Sequence, residues 1–204
     1  GDGVVNGDDK VPLSFSSTPR FMYGFGVEFR YKRLSAAVLF KGTGNTDVYH
    51  VGVPASNGAL YDEGYIPFYG KQTGNVLSIV KNPANRWISR EYAEKMGLDP
   101  SLSENPNARF PRMSYGNLEN NSQTSSFWKN NAKYLRLSEV NINYSVNVPK
   151  TIKNLGINSI DLSLVGNNLC VWDKIDICDP EQALYNGRRY PIPASVTLQA
   201  YIKF

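Results

Sequence analysis

The last nine residues, 196–204, alternate apolar and polar side chains without a break and end on an aromatic residue, Phe204. Successive side chains of a strand point to opposite faces, so one face of this segment is apolar and the other polar. A soluble domain commonly frays at its terminus, whereas this pattern continues to the last residue. An alternating strand of about 9–11 residues, apolar towards lipid and polar towards water, is the unit of a transmembrane β-barrel. The pattern therefore favours a membrane-embedded sheet.

Four other segments repeat this alternation, at 21–31, at 34–41, at 140–148 within a predicted strand 134–148, and at 157–165 within a predicted strand 157–169. The first two are joined by the tight turn Lys32-Arg33 and predict a hairpin. The third ends at Pro149, which lacks the backbone N–H that a strand ladder needs. Together with the final strand, 194–204, these segments predict five antiparallel strands.

The connections between the predicted strands are very unequal in length. The links 32–33 and 149–156 are short, whereas 1–20, 42–133 and 170–193, at the opposite end, are long. Short periplasmic turns and long extracellular loops are typical of outer-membrane barrels. We therefore expect the three long segments to be extracellular loops.

The longest of these segments carries its own structural signals. Ser89 is a suitable N-cap for a short helix over 90–96, and Gly97 is a suitable end for that helix. Turn-forming residues and apolar anchors surround it. The segment is thus predicted to fold as a packed excursion rather than a tail.

Five strands are too few to close a membrane barrel, because the smallest have eight. An open sheet of five would leave two unpaired edges and a whole lipid-facing surface exposed. The fold class predicted for residues 1–204 is therefore all-β, as the C-terminal segment of a larger transmembrane barrel. The chain also opens at Gly1 without a signal peptide, which we interpret as a cut end.

Composition narrows the classes of function. The chain has 204 residues, of which 41% are hydrophobic, and no apolar run approaches the length of about 20 that a transmembrane helix requires. The formal net charge is +4, and the basic residues are scattered without a cluster. The sequence therefore predicts no nucleic-acid partner.

Several sequence motifs are similar, in the same order, to those of one transporter family. The run Phe127-Trp128-Lys129-Asn130-Asn131-Ala132-Lys133-Tyr134-Leu135-Arg136-Leu137-Ser138-Glu139-Val140 resembles the "F-W-x-x-x-x-Y-L-R-L-x-x-V" stretch of SusC/RagA-type TonB-dependent transporters of Bacteroidota. Segments 155–157 and 166–172 resemble its "L-G-I … G-x-N-L-x-x-W", and 179–181 and 190–193 its "D-P-E … Y-P-x-P". Similar stretches occur at 1–5, 19–25 and 107–112.

This resemblance implies the last five strands of a 22-stranded, plugged barrel in the bacterial outer membrane. It implies active uptake of oligosaccharides or oligopeptides, energised through TonB. The implied partners are the rest of the barrel, its plug and a SusD-like surface lipoprotein that acts as a lid. Phe204 resembles the C-terminal aromatic signal for barrel assembly.

The candidate binding residues are of two kinds. Polar residues on the inward faces of the strands suit a solute path or plug contact, or alternatively a hydrated wall with internal ion pairs: Glu28, Arg30, Asn141, Asn143, Asp161 and Lys203. Aromatic residues in or beside the long loops suit contact with substrate or lid: Trp87, Trp128 and Trp172. Trp128 and Trp172 also suit the interfacial aromatic girdle.

The sequence indicates no catalytic site and no firm cofactor. His50 is the only histidine, and no nucleophile–base–orienter set is visible, so the chain is predicted not to be an enzyme. An oxygen-rich cluster suits either calcium or a polar turn, although it lacks the downstream bidentate Glu: Asp2, Asn6, Asp8 and Asp9. Cys170 and Cys178 suit either a small disulfide or two free thiols.

Two rival interpretations remain open. A soluble β-sandwich that binds glycans predicts that the apolar faces of 21–31 and 140–148 pack against a second sheet of the same chain. A passive, porin-like barrel predicts the same strands without energised transport.

Overall fold

A computed structural model describes residues 2–4, 6–13, 15, 17–49, 78–113, 121, 125–185 and 190–204. His50 and the apolar anchors of 66–77 lie outside the described residues. The chain divides into two compact units. The sheet unit comprises 14–47, 131–176 and 190–204, and the loop unit comprises 1–13, 48–130 and 177–189.

The strands are β1 (Phe21–Tyr31), β2 (Leu34–Gly44), β3 (Asp47–Tyr49), β4 (Lys129–Asn131), β5 (Tyr134–Val146), β6 (Ser159–Trp172) and β7 (Ser195–Lys203). The helices are α1 (Ser78–Lys81), α2 (Arg90–Lys95) and α3 (Lys150–Lys153). Five strands form one antiparallel sheet in the order β1-β2-β5-β6-β7, and β3 pairs with β4. The predicted all-β class with five antiparallel strands is confirmed.

Two strands run further than their patterns predict. β2 continues past residue 41 to Gly44, because Gly42 and Thr43 still pair with β1 and β5. β6 continues past 169 to Trp172, which pairs with Leu135. Glycines and asparagines at these points conceal the alternation, since they are depleted in strands.

β5 ends earlier than predicted, at Val146 rather than 148. The short link that follows contains α3 and turns at Gly156, whose φ is +89°. At the same end of the sheet, Lys32 adopts a φ of 53° in the two-residue turn between β1 and β2. These two tight links fix the register of their hairpins.

An irregularity crosses the middle of the sheet. Leu39 and Phe40 of β2 face Glu139 and Leu137 of β5, so Ser138 is an extra residue in β5. A bulge of this kind shifts the side-chain alternation by one position. The residues of β5 on the apolar face are accordingly odd-numbered before Ser138 (Leu135, Leu137) and even-numbered after it (Val140, Ile142).

The loop unit is organised around short helices and turns. Ser89 caps α2 by accepting a hydrogen bond from the Tyr92 N–H at 3.2 Å, and Gly97 follows with a φ of +61°. The helix predicted from the capping pattern is therefore confirmed. Within the described residues, no helix has the length and apolar character to cross a membrane.

Candidate functional site

One face of the five-stranded sheet is apolar from edge to edge. The register aligns Phe29, Ala36, Ile142, Leu164 and Leu198 in a single row across all five strands. Leu198 leaves 75% of its surface exposed and Phe29 58%, whereas Leu164 and Ile142 in the middle of the row leave 43% and 38% exposed. Large contiguous apolar surfaces mark contact with protein or membrane.

Aromatic side chains form two bands on this face. At the long-segment end are Phe21, Tyr23, Phe25, Phe40 and Trp172, and at the tight-turn end are Phe29, Tyr31, Tyr144 and Phe204. Ten residue steps of about 3.3 Å separate Phe21 from Tyr31, which is about 33 Å along the strand. At a barrel tilt of about 40° this corresponds to about 25 Å, the height of the lipid-facing band of outer-membrane barrels.

The opposite face carries a hydrogen-bonded polar row. Asn143 Nδ2 donates to Ser35 Oγ at 3.4 Å, and Ser163 Oγ donates to Asn143 Oδ1. One step towards the turns, Ser145 Oγ donates to Asp161 Oδ1 at 2.6 Å. Polar groups thus satisfy one another across β2, β5 and β6, as a water-facing wall requires.

The structure places the six polar residues predicted to face inward on this same face: Glu28, Arg30, Asn141, Asn143, Asp161 and Lys203. Arg30 Nε lies 2.6 Å from Glu28 Oε1, and both side chains are more than half exposed. An ion pair of this exposure contributes little to stability. A role of the six residues in solute passage or plug contact stays a prediction.

Both edges of the sheet are open within the described residues. β1 pairs with β2 alone, and β7 pairs with β6 alone. Each edge strand therefore presents a row of backbone N–H and C=O groups that a further strand would satisfy. The described sheet therefore has two edges at which further strands could pair.

The loop unit has its own small core. Val80, Phe110 and Trp128 are buried together, and Tyr49, Ile79 and Ile177 pack against them. The Phe110 N–H donates to the Asn85 carbonyl at 3.0 Å, and the Trp87 N–H donates to the Phe110 carbonyl at 2.8 Å. These bonds hold the segments around residues 86 and 110 side by side.

A cleft of about 570 Å³ opens beside this core. Aromatic and polar side chains line it, including Trp87, Asn105, Phe110, Arg112, Phe127 and Trp128. Trp128 is nearly buried, and its Nε1 donates to the Asn121 carbonyl at 2.8 Å. Phe127 is half exposed and meets the Trp128 ring edge to face, with centroids 4.9 Å apart.

The three predicted tryptophans are divided between the two units. Trp87 and Trp128 both line the cleft. Trp172 lies on the apolar face of the sheet, where its ring centroid is 6.5 Å from that of Phe40. The position of Trp172 suits a residue of the interfacial aromatic girdle, whereas the position of Trp128 suits a residue of the loops. Contact of any of them with substrate or lid stays a prediction.

The sequence reasoning did not single out Arg112 or Phe127 as site residues. Phe127 carries a signal, since it is an aromatic residue next to Trp128 in a loop. Arg112 carries none, because it is one of 22 basic residues and reaches the cleft through the backbone pairing of Phe110.

The oxygen-rich cluster near the N-terminus caps backbone groups. The Asp8 N–H donates to Asn6 Oδ1 at 2.6 Å, the Asn6 N–H to Asp9 Oδ2 at 2.8 Å, and the Val4 N–H to Asp2 Oδ1 at 2.9 Å. This is the geometry of a capped polar turn. The described part of the chain holds no group of three or more His, Cys, Asp or Glu side chains arranged for a metal ion.

No disulfide joins Cys170 and Cys178 in the structure. Cys170 is exposed on β6, and Cys178 is half-buried in the loop unit. A disulfide between them in an oxidising compartment stays a prediction.

An open antiparallel sheet with one apolar and one polar face, two unpaired edges and tight turns at one end is the wall segment of a β-barrel. In keeping with this class, the chain is similar to solved structures of the RagAB peptide transporter. One, at 16% identity, has a TM-score of 0.61. The RagAB peptide importer in its "closed-closed" state is 18% identical to the chain, with a TM-score of 0.60. In its "open-open" state it is 17% identical, with a TM-score of 0.57.

Each match covers 98% of this chain and 19% of the transporter chain, so the chain spans about a fifth of its relatives' length. The expected resemblance to SusC/RagA transporters is confirmed as a shared fold, that of an all-β barrel segment. No family model matches the sequence. No curated protein matches it either.

Proposed function

We propose that this chain forms part of the wall and extracellular loops of an outer-membrane nutrient importer. The observation that carries the proposal is the apolar face that crosses all five strands, exposed and bordered by two aromatic bands. Its height of about 25 Å matches the hydrocarbon thickness that such barrels span. The polar face then lines the aqueous interior, and the two open edges pair with the remaining strands of the barrel.

The orientation follows from the links. The turns at 32–33 and 149–156 face the periplasm, and the segments 1–20, 42–133 and 170–193 face outward. On this arrangement the loop unit stands where substrate and lid are met. Phe204, at the periplasmic end of the apolar face, carries the assembly signal.

We infer that the transported solutes are oligopeptides, because the solved structures that share this fold are peptide transporters. Oligosaccharides are the second candidate, since flat aromatic rings such as Trp87 also stack on sugars. A SusD-like lipoprotein lid and energy coupling through TonB belong to the same proposal and rest on the sequence motifs.

The exposed apolar face of the five-stranded sheet also argues against the alternative of a soluble, glycan-binding β-sandwich. A sandwich would cover Phe29, Ile142 and Leu198 with a second sheet, but these side chains are exposed in the sheet unit. The other sheet within the described residues has only two strands of three residues each, β3 and β4.

The first experiment is to express residues 1–204 alone, without detergent, and with the preceding barrel strands, in detergent. We expect insoluble material in the first case and an ordered, heat-modifiable barrel in the second. A soluble monomer that unfolds cooperatively without detergent would contradict the proposal. Uptake of a fluorescent oligopeptide and a fluorescent oligosaccharide by cells carrying the full-length protein then separates the two substrate classes.

A further inference from the structure

We propose that the loop cleft beside Trp87 and Arg112 binds a short peptide through a carboxylate and an adjacent apolar side chain. This inference rests on the proposed function and gives its substrate a binding site and a chemical requirement. It concerns the loop unit alone.

The cleft offers an apolar surface on a rigid base. Phe110 and Trp128 are each only 4% exposed and belong to the core of the loop unit. Trp87 and Phe127 leave more ring surface open to a ligand. Because the Trp128 indole is held by its hydrogen bond to the Asn121 carbonyl, the base of the cleft is fixed before a ligand arrives.

The polar side of the cleft is suited to an anion. Arg112 is the charged residue among the described residues that line the cleft, and none of those residues carries a carboxylate. The exposed Arg112 guanidinium can therefore take a carboxylate from a ligand in the bidentate geometry that arginine favours.

Asn105 adds a second donor. Its Oδ1 accepts a hydrogen bond from the Asn107 N–H at 2.9 Å, so its amide NH2 is the part that serves a ligand. Donors at Arg112 and Asn105 match the carbonyl and carboxylate oxygens of a peptide. A neutral saccharide would leave the guanidinium without an anionic partner.

The size of the cleft agrees with a small ligand. Its volume of about 570 Å³ lies within the range of about 300–1,000 Å³ typical of small-molecule sites. A few residues of a peptide fit such a space, whereas a folded protein does not.

The test uses the full-length protein in detergent and isothermal titration with three probes. These are the tetrapeptide Ala-Ala-Ala-Phe with a free carboxylate, the same peptide as its C-terminal amide, and the amide of Ala-Ala-Asp-Phe. We expect the free acid to bind about tenfold or more tightly than the first amide, as a hydrogen-bonded charge pair implies. Binding of the Asp-containing amide would assign the carboxylate to a side chain rather than to the C-terminus.

Arg112→Gln is expected to abolish the preference for a carboxylate. Phe127→Ala is expected to weaken the binding of all three probes. Arg90→Gln is the matched control, because it removes the same charge from the loop unit outside the cleft and should leave binding unchanged. Equal binding of acid and amide, or an acid preference that survives Arg112→Gln, would overturn the inference. So would equally tight binding of maltotetraose.

Heat-modifiable migration of the same samples keeps the two proposals apart. A membrane-embedded barrel without a carboxylate preference would refute the cleft and leave the proposed function intact. A protein outside the membrane that keeps an Arg112-dependent preference would refute the proposed function and support the cleft.

Discussion

The Tyr23 ring on β1 covers Gly42 on β2, its partner in the register. A Cβ atom added at Gly42 would lie 2.5 Å from the Tyr23 ring and close to the Tyr134 carbonyl oxygen. The Tyr23 hydroxyl donates to that carbonyl at 3.1 Å. The absence of a side chain at Gly42 therefore allows one aromatic residue to link β1 to β5 across β2.

Gly42→Ala is expected to clash with both the Tyr134 carbonyl and the Tyr23 ring and to break the hydrogen bond between them, at a cost of about 1–3 kcal/mol in the free energy of unfolding. Denaturant unfolding of the full-length barrel in detergent measures it. Gly44→Ala is the control, because its Cβ would meet Phe21 at an ordinary 3.4 Å. Equal losses in the two variants would show that lost backbone flexibility, not the Tyr23 contact, is responsible.

Arginine at Leu198 and at Thr197 should have opposite consequences. Leu198 lies on the apolar face and Thr197 on the polar face of the same strand. Arg on the lipid face of a barrel costs about 2–4 kcal/mol near mid-membrane, whereas a lumen position tolerates it. We expect Leu198→Arg, but not Thr197→Arg, to reduce the heat-modifiable fraction in outer membranes. The reverse order would invert the assignment of faces.

Asn143 and Asn141 lie two residues apart on the same face, yet should respond differently to alanine. Asn143→Ala removes the partner of both Ser35 and Ser163, which costs about 1–3 kcal/mol if those hydroxyls stay buried. Asn141 Oδ1 is buried without a hydrogen-bond partner among the described residues, so Asn141→Ala should be near neutral. Unfolding midpoints in detergent measure both, and a larger loss at Asn141 would argue against the network.

Phe204→Ala should slow barrel assembly, because Phe204 is the proposed assembly signal. Its ring is 82% exposed in the described structure, so the substitution removes little packing there. The measurement is the rate at which pulse-labelled protein becomes heat-modifiable. Lys203→Ala serves as control on the polar face. Unchanged kinetics for Phe204→Ala would remove the assembly role.

The turn at Asp99 should respond to acid. Hydrogen bonds from the backbone N–H and the side chain of Ser101 lower the pKa of the Asp99 carboxyl below its usual value. Because the folded pKa lies below the unfolded value of about 3.9, the stabilisation is present above that pH and is lost as the pH falls through the folded pKa. Hydrogen exchange of 99–103, corrected for intrinsic rates, should rise in acid. Asp99→Asn should remove the extra pH dependence, and an unchanged profile would contradict this account.

Much of the sheet could be predicted because one of its faces is apolar and the other is polar. The alternation of 21–31 is complete, and β1 forms there. The ends of β2 and β6 could not be predicted from the alternation. In β2, Gly42 leaves the space that the Tyr23 ring occupies. In β6, Asn168 adopts a φ of 52° next to the sheet irregularity. At such positions backbone geometry decides the residue, and face polarity does not.

The sequence predicted that aromatic residues of the loops would form a binding site, but not which residues come together in the cleft. Trp87 and Trp128 were evident as loop aromatics, but their meeting depends on the backbone pairing of Phe110 with Asn85 and Trp87. Arg112 arrives through that same pairing, which joins segments more than twenty residues apart. Such long-range contacts leave no local period in a sequence.

The extra residue at Ser138 makes the length of β5 as consequential as its composition. Leu135 and Leu137, before Ser138 in the chain, lie on the apolar face, and so do Val140 and Ile142 after it. Deleting Ser138 would turn Leu135 and Leu137 to the polar face and Arg136 to the apolar face in one step. The number of residues in β5 therefore matters as much as their identity. Loss of a single codon would exchange the faces of residues 134–137, although every other side chain is kept.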